Sequence, residues 1–224
     1  MQEKNLKILI VIPARKNSKR LPNKNLLKVN KKSLIQRTID IAKQITDKEN
    51  IIISTDSSKI QKIAKQNQIN VPWLRPKKLS SDKASSENVV LHALNWYEKN
   101  FKKVNCLLLL QPTSPFRKKN SILKGLNLFE KNKKFSIISI GKVNNTNSHK
   151  FFFMKEKNKL MNIFNQKNNF YRPNGSFYII KPSILRSQKT FYIKKLKGFI
   201  LKSQKENIDI DNIYDLKIAR SIKE

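Results

Sequence analysis

Two stretches far apart in the chain carry side chains able to do chemistry. The first follows an apolar run, Ile8 to Ile12: after Pro13 comes a polar loop with Arg15, Lys16, Lys19, Arg20 and Lys24. A run of cations at the end of a buried strand suits a polyphosphate, because ligands of open α/β sheets collect off the carboxyl ends of the strands. The alternative is a solvated basic loop. The loop lacks both the Walker A pattern and the dinucleotide fingerprint, and it holds no glycine. Less of the anion binding can then come from close backbone approach, so the side-chain cations carry more of it.

The second stretch is Asp209-Ile210-Asp211. In extended backbone, residues i and i+2 point to the same side, so the two carboxylates stand together while Ile210 turns inward. Side by side they repel, unless a divalent cation lies between them. Mg²⁺ held by one or two carboxylates plus substrate phosphates is the expected form. The other reading is a helix start at 212, with Asp211 as cap and Asp209 in solvent. Both remain open on spacing alone.

Single residues add to these. Gln111, at the end of an apolar run, offers two donors and an acceptor to a carboxylate and a neighbouring hydroxyl, or serves as a turn amide. Arg172 offers a planar fork to an anion, or is one more exposed cation. Gly175 lets backbone approach a ligand or sits at a turn. Arg75 reads a base carbonyl or packs on Trp73; Ser85 and Ser86 touch a nucleoside or cap a helix. His92 and His149 have no Cys or Asp/Glu cluster around them in sequence, so zinc is not expected.

The elements that must position these residues alternate. Strands are expected at 8–12, 50–56, 69–71, 106–110, 135–140, 176–180 and near 199–201. Helices are expected at 33–46, opened by a Ser33…Gln36 capping box, and at 58–67, 87–99, 119–130, after Pro182, and at 212–222. Strand–helix alternation argues for an α/β fold with a doubly wound, mostly parallel sheet. Residues 143–170, rich in Asn, Lys and Phe, break the pattern and read as an insert. Their apolar patches at 151–154 and 160–164 suit packing on a second subunit.

With 224 residues and 38% hydrophobic content the chain is expected to form a single domain, 1–224. No apolar run approaches a membrane span, and no secretory signal precedes the first strand. The single cysteine, Cys106, lies in an apolar run and reads as a buried thiol. A cytoplasmic location is expected. The net charge of +33 invites a nucleic-acid-binding reading, but the lysines are spread over the whole chain with no block or tail. A general Lys and Asn bias is preferred, with no nucleic-acid partner; the charge still concentrates anionic substrates.

The segment Ile12-Pro13-Ala14-Arg15-x-x-Ser18-Lys19-x-x-x-x-Lys24-Asn25 resembles the signature of the acylneuraminate cytidylyltransferases, the CMP-sialic acid and CMP-legionaminic acid synthetases. The family loop is often richer in glycine; Lys16, Asn17 and Arg20 stand here instead. Four more segments resemble family motifs in family order. They are Arg75-Pro76 with Ser81-Asp82-x-Ala84-Ser85-Ser86; Leu110 to Pro115; Arg172-Pro173-Asn174-Gly175; and Asp209-Ile210-Asp211.

The resemblance implies a nucleotidyltransferase fold, Rossmann-like and of the nucleotide-diphospho-sugar transferase type, with a small inserted dimerisation arm and a homodimer. It implies joining of CTP to an anionic nine-carbon sugar, giving a CMP-sugar and pyrophosphate. Lys19, Asp211 and Arg15 would be catalytic. Arg15, Ser18, Lys19, Lys24, Asn25, Arg75, Ser85 and Ser86 would bind the nucleotide; Gln111, Arg172 and Asn174 the sugar; Asp209 and Asp211 the Mg²⁺. The alternatives are a CMP-Kdo synthetase or related sugar nucleotidyltransferase, and a basic nucleic-acid-binding protein.

Overall fold

The computed structural model describes residues 6–81, 83–143 and 170–223 in full, with the backbone of 152–154 and 160–162. In chain order the elements are β1 (Ile8–Pro13), β2 (Lys28–Val29), β3 (Lys32–Ser33), α1 (Leu34–Ala42), β4 (Ile51–Ser54), α2 (Ser58–Gln66), α3 (Lys77–Ser80) and α4 (Ser86–Asn100). They continue with β5 (Cys106–Leu109), α5 (Lys119–Lys131), β6 (Ser136–Lys142), β7 (Phe152–Met154), β8 (Leu160–Asn162), β9 (Tyr171–Ile180), α6 (Pro182–Gln188), β10 (Leu196–Ile200) and α7 (Ile213–Ser221).

Six strands form one sheet in the order β10-β6-β9-β5-β1-β4. β1 runs parallel to β4 and β5, and β10 parallel to β6; β9 runs antiparallel to both of its neighbours. Its reversal has a consequence for the site. The first half of β9, Arg172 to Gly175, lies at the same rim as the last residues of the parallel strands, with Arg172 opposite Gly141 and Pro173 opposite Ile140.

Both faces of the sheet are covered, so the central strands are apolar throughout rather than alternating. Ile10, Ile12 and Leu108 pack with Ile35 and Ile39 of α1, Ile60 of α2 and Phe129 of α5. Leu9, Val11 and Leu107 pack on the opposite face with Val90, Leu94 and Tyr97 of α4 and Leu185 of α6. Cys106 is buried, and burial raises its thiol well above the ordinary range. Among the described residues no helix is long and apolar enough to cross a membrane.

Several local expectations are corrected. The segment 69–71 contributes only an isolated bridge at Asn70 rather than a strand. Ser33 caps α1 by accepting from the Gln36 N–H, but the reciprocal half of the box is not made: the Gln36 amide donates to Asp40 and Asn67. β9 begins at Tyr171 and β10 at Leu196, earlier than the apolar pattern suggested. The small β2–β3 hairpin and the short α3 carry too few apolar residues to show as a period. Apart from the short antiparallel pair β7–β8 and the residues at its ends, the expected insert at 143–170 lies outside the described residues, as do Asp82 and His149.

Candidate active site

The cationic loop and the acidic pair meet at one rim because a small third core fastens them together. Leu21 of the loop, Val29 and Leu34 pack with Ile210, Leu216 and Ala219 of the chain's last segment. Ile210 is fully buried between the two aspartates, as extended backbone requires. Hydrogen bonds close the same seam: Arg220 Nε donates to the Lys28 carbonyl at 3.0 Å and Asn30 Nδ2 to the Ile222 carbonyl at 3.0 Å.

The loop keeps its shape without glycine. Asn23 takes the left-handed conformation at φ 52°, which Asn tolerates better than most residues, and its carbonyl accepts from Leu26 N–H at 2.8 Å. Asn25 is buried and donates from Nδ2 to the Arg15 carbonyl at 3.0 Å. Lys16 N–H donates to Asp56 Oδ1 at 2.6 Å, so the loop is held to the end of β4 as well.

Lys24 Nζ and Arg20 Nη2 each lie 3.1 Å from Asp211, on Oδ1 and Oδ2 respectively. Asp211 does not cap α7. That role falls to Asn212, whose Oδ1 accepts from Tyr214 and Asp215 N–H groups, while Asp215 Oδ2 accepts from the N–H groups of Asp211 and Asn212. The helix-start reading of Asp211 is therefore replaced by one in which its carboxylate faces the cations.

Asp209 lies deeper. Its carboxyl is held above the ordinary range by burial, with a Thr113 hydrogen bond opposing and the neighbouring Asp211 charge adding to the rise. The adjacent Ile210 N–H donates to the Thr113 carbonyl at 2.8 Å. Among the described residues, Asp209 Oδ1 has no hydrogen-bond partner. A buried carboxylate oxygen without a donor, two residues from a carboxylate that has drawn in an ammonium, fits a divalent cation with oxygen ligands.

A cavity of about 380 Å³ opens off the ends of β1 and β5. Of the residues singled out from sequence, Arg15, Lys24, Asn25, Arg75, Ser86, Gln111, Asp209 and Asp211 line it. Ser18 and Lys19 lie on the loop beyond that lining. Ser85 caps α4, accepting from the Asn88 N–H at 3.2 Å. Arg75 is not a surface residue: it is buried, donates from Nε to Ser54 Oγ at 3.0 Å and from Nη2 to the Ser54 carbonyl, and burial lowers its guanidinium to about 10.

Arg172 lines a neighbouring cavity with Asn207, Ile208 and Asp215, and Asp209 lines both. Asn174 is buried: its Oδ1 accepts from Ser139 Oγ at 2.7 Å and its Nδ2 donates to Asn207 Oδ1 at 2.7 Å. It braces the strand that carries Arg172 rather than lining the main cavity. Gly175, at φ +73°, lies beneath Gln111; a Cβ there would come within 2.7 Å of Gln111 Oε1 and 3.0 Å of Ser114 Oγ. Glu206 and Arg117 are buried charges at this rim that sequence reasoning passed over. Glu206 accepts from the Lys118 N–H, and Arg117 donates to Thr38 and to the Gln111 carbonyl. Neither position stands out in sequence: Glu206 lies between Lys205 and Asn207, and Arg117 is one of 48 Lys and Arg residues.

A family model described as cytidylyltransferase matches residues 9–216. The chain belongs to the cytidylyltransferase family. It is 34% identical to the CMP-N,N′-diacetyllegionaminic acid synthase of Legionella pneumophila, over 98% of this chain and 97% of that protein. It is 31% identical to an N-acylneuraminate cytidylyltransferase of Escherichia coli over 97% of its own length, while spanning 52% of that longer protein. The fold matches a CMP-2-keto-3-deoxy-manno-octonic acid synthetase solved with CTP, at a TM-score of 0.71 and 15% identity, covering 96% of this chain and 97% of that one. Family membership makes this cytidylyltransferase a nucleotidyltransferase.

Proposed function

We propose that this cytidylyltransferase joins CTP to a nonulosonic acid, of the legionaminate or N-acylneuraminate type, releasing pyrophosphate. The anomeric hydroxyl oxygen bonds to the α-phosphorus of CTP, the bond from that phosphorus to the bridging oxygen breaks, and pyrophosphate leaves with that electron pair. The hydroxyl proton passes to solvent as the new bond forms. Little covalent chemistry falls to the protein, so catalysis is mostly positioning and charge neutralisation.

The observation that carries this reading is the meeting of Lys24 and Arg20 with Asp211 at the mouth of the cavity. These cations sit against a carboxylate until a triphosphate competes for them. Arg15 and Lys24 then hold the phosphates, with Lys19 closing from the loop, and Ser18, Asn25, Arg75, Ser85 and Ser86 frame the nucleoside side. Gln111 and Arg172 orient the sugar acid, with Asn174 bracing the strand of Arg172. Asp209 and Asp211 would hold Mg²⁺, which when bound supplies charge neutralisation at the phosphates. A cytoplasmic homodimer, with the 143–170 segment as its arm, completes the proposal; it rests on the apolar patches of that segment, and light scattering in solution tests the dimer.

The test is incubation with CTP, Mg²⁺ and a panel of sugar acids, scored by pyrophosphate release. Turnover with a nine-carbon acid is expected. Turnover with the eight-carbon Kdo alone would give the enzyme to the runner-up, a CMP-Kdo synthetase.

A further inference from the structure

The turn from Gln111 to Arg117 touches both halves of the proposed site. Gln111 faces the cavity, and Thr113 holds Asp209 and Ile210. Arg117 closes this turn on itself. Arg117 is 5% exposed, and its guanidinium donates from Nη2 back to the Gln111 carbonyl and from Nη1 to Thr38 Oγ1 on α1 at 3.2 Å. Thr38 is 1% exposed and also donates to the Leu34 carbonyl, so the clamp reaches into the helix that packs on the cationic loop's core. The hydrogen-bond acceptors of Nη1 and Nη2 are neutral oxygens, the Asp209 carboxylate is the opposing charge that acts on the guanidinium, and Nε has no hydrogen-bond partner among the described residues.

A buried charge is costly unless it is paired and hydrogen-bonded, and the Asp209 charge offsets only part of the burial at Arg117. The rigid guanidinium fork presents Nη1 and Nη2 to the two acceptors in one plane, a geometry that the single Nζ of a lysine does not reproduce. We propose that Arg117 is a positioning residue: by holding the Gln111 carbonyl against α1 it fixes where the Gln111 side chain meets the acceptor sugar. It touches no substrate. This inference rests on the proposed role of Gln111 toward the sugar acid.

The experiment uses Arg117→Lys and Thr38→Val, each alone and combined with Gln111→Ala, in the full chain. The expected result for Arg117→Lys is a KM for the sugar acid raised about 10- to 100-fold, with the KM for CTP within about twofold of the parent. Thr38→Val is expected to shift the same constant in the same direction by less, while Thr38→Ser, which keeps the hydroxyl, restores it. In the Gln111→Ala background the added loss should disappear, because Arg117 acts through Gln111. Additive losses, or equal losses for both substrates, would overturn the inference and leave Arg117 as a stabilising residue.

A crystal structure of Arg117→Lys supplies a readout independent of turnover. A 111–116 turn unchanged from the parent overturns the inference whatever sugar is used. If the parent enzyme turns over no nonulosonic acid, the substrate reading fails on its own, and the displaced or undisplaced turn still decides the role of Arg117.

Discussion

Lys24 Nζ lies 3.1 Å from Asp211 Oδ1, although 187 positions separate the two in sequence. The ion pair does not hold them there. The Asp211 side chain is 41% exposed and that of Lys24 13%, so solvent at the carboxylate keeps the pair to about 1 kcal/mol. The buried Leu21, Leu34, Ile210 and Leu216 beside them contribute about 1.5–3 kcal/mol each. Apolar packing sets the approach, and the charged tips are left available to ligands.

Asp211→Asn should therefore separate activity from stability. Pyrophosphate release is expected to fall by about 10²–10³-fold, on the scale of a lost electrostatic contact in a transition state. Thermal unfolding should shift by about 1 kcal/mol, because the partly solvated Asp211 loses only its ion pairs with Arg20 and Lys24. A fully active variant at ordinary Mg²⁺ would remove Asp211 from the proposed site.

Lys24→Ala should raise the KM for CTP by at least about tenfold, since a charge-assisted contact contributes about 1.5–3 kcal/mol. Lys83→Ala removes the same charge from an exposed residue outside the cavity lining. It should leave KM within about twofold, the difference expected when only the screened general field changes. Equal effects would mean that the loop lysine acts as bulk charge.

Asp209 gives a pH dependence. Its carboxyl is raised above the ordinary range, so its protonated form is favoured in the fold. The stability it contributes is complete below the unfolded carboxylate value and is lost as pH rises through the raised folded value. The metal-free protein should lose thermal stability as pH rises through that window. Added Mg²⁺ should restore stability most at the upper end, where the carboxylate is ionised. Scanning calorimetry with and without chelator measures both; a metal effect that does not grow with pH would count against Asp209 as a ligand.

Gly175→Ala should damage the sugar side first. The new methyl meets Gln111 Oε1 at 2.7 Å and the backbone is at φ +73°, a conformation that costs an L-residue about 1–2 kcal/mol. Lower thermal stability is expected, together with a raised KM for the sugar acid and a smaller change for CTP. Steady-state kinetics with each substrate varied in turn checks this.

The sequence by itself determined the α/β alternation, the buried strands and the nature of the chemistry. Uniform apolar runs such as Ile8 to Ile12 and Cys106 to Leu110 can only be satisfied by cover on both faces. A glycine-free cationic loop and a close acidic pair pointed to polyphosphates and cations, with a solvated loop and a helix start as the other readings. Tertiary structure decided that Asp211 does not cap α7, because Asn212 and Asp215 take over the capping and nothing in the spacing distinguishes the three carboxyl and amide groups in advance. It also decided that Asn174 and Arg75 are buried, with polar atoms held by Ser139, Asn207 and Ser54, although Arg75 still lines the main cavity. Burial is a property of what packs above a residue, and for these positions the covering residues come from strands and turns 21 to 35 positions away. The reversal of β9 was illegible for the same reason: an antiparallel strand with both faces covered has the same apolar pattern as a parallel one, and only its neighbours β5 and β6 fix its direction.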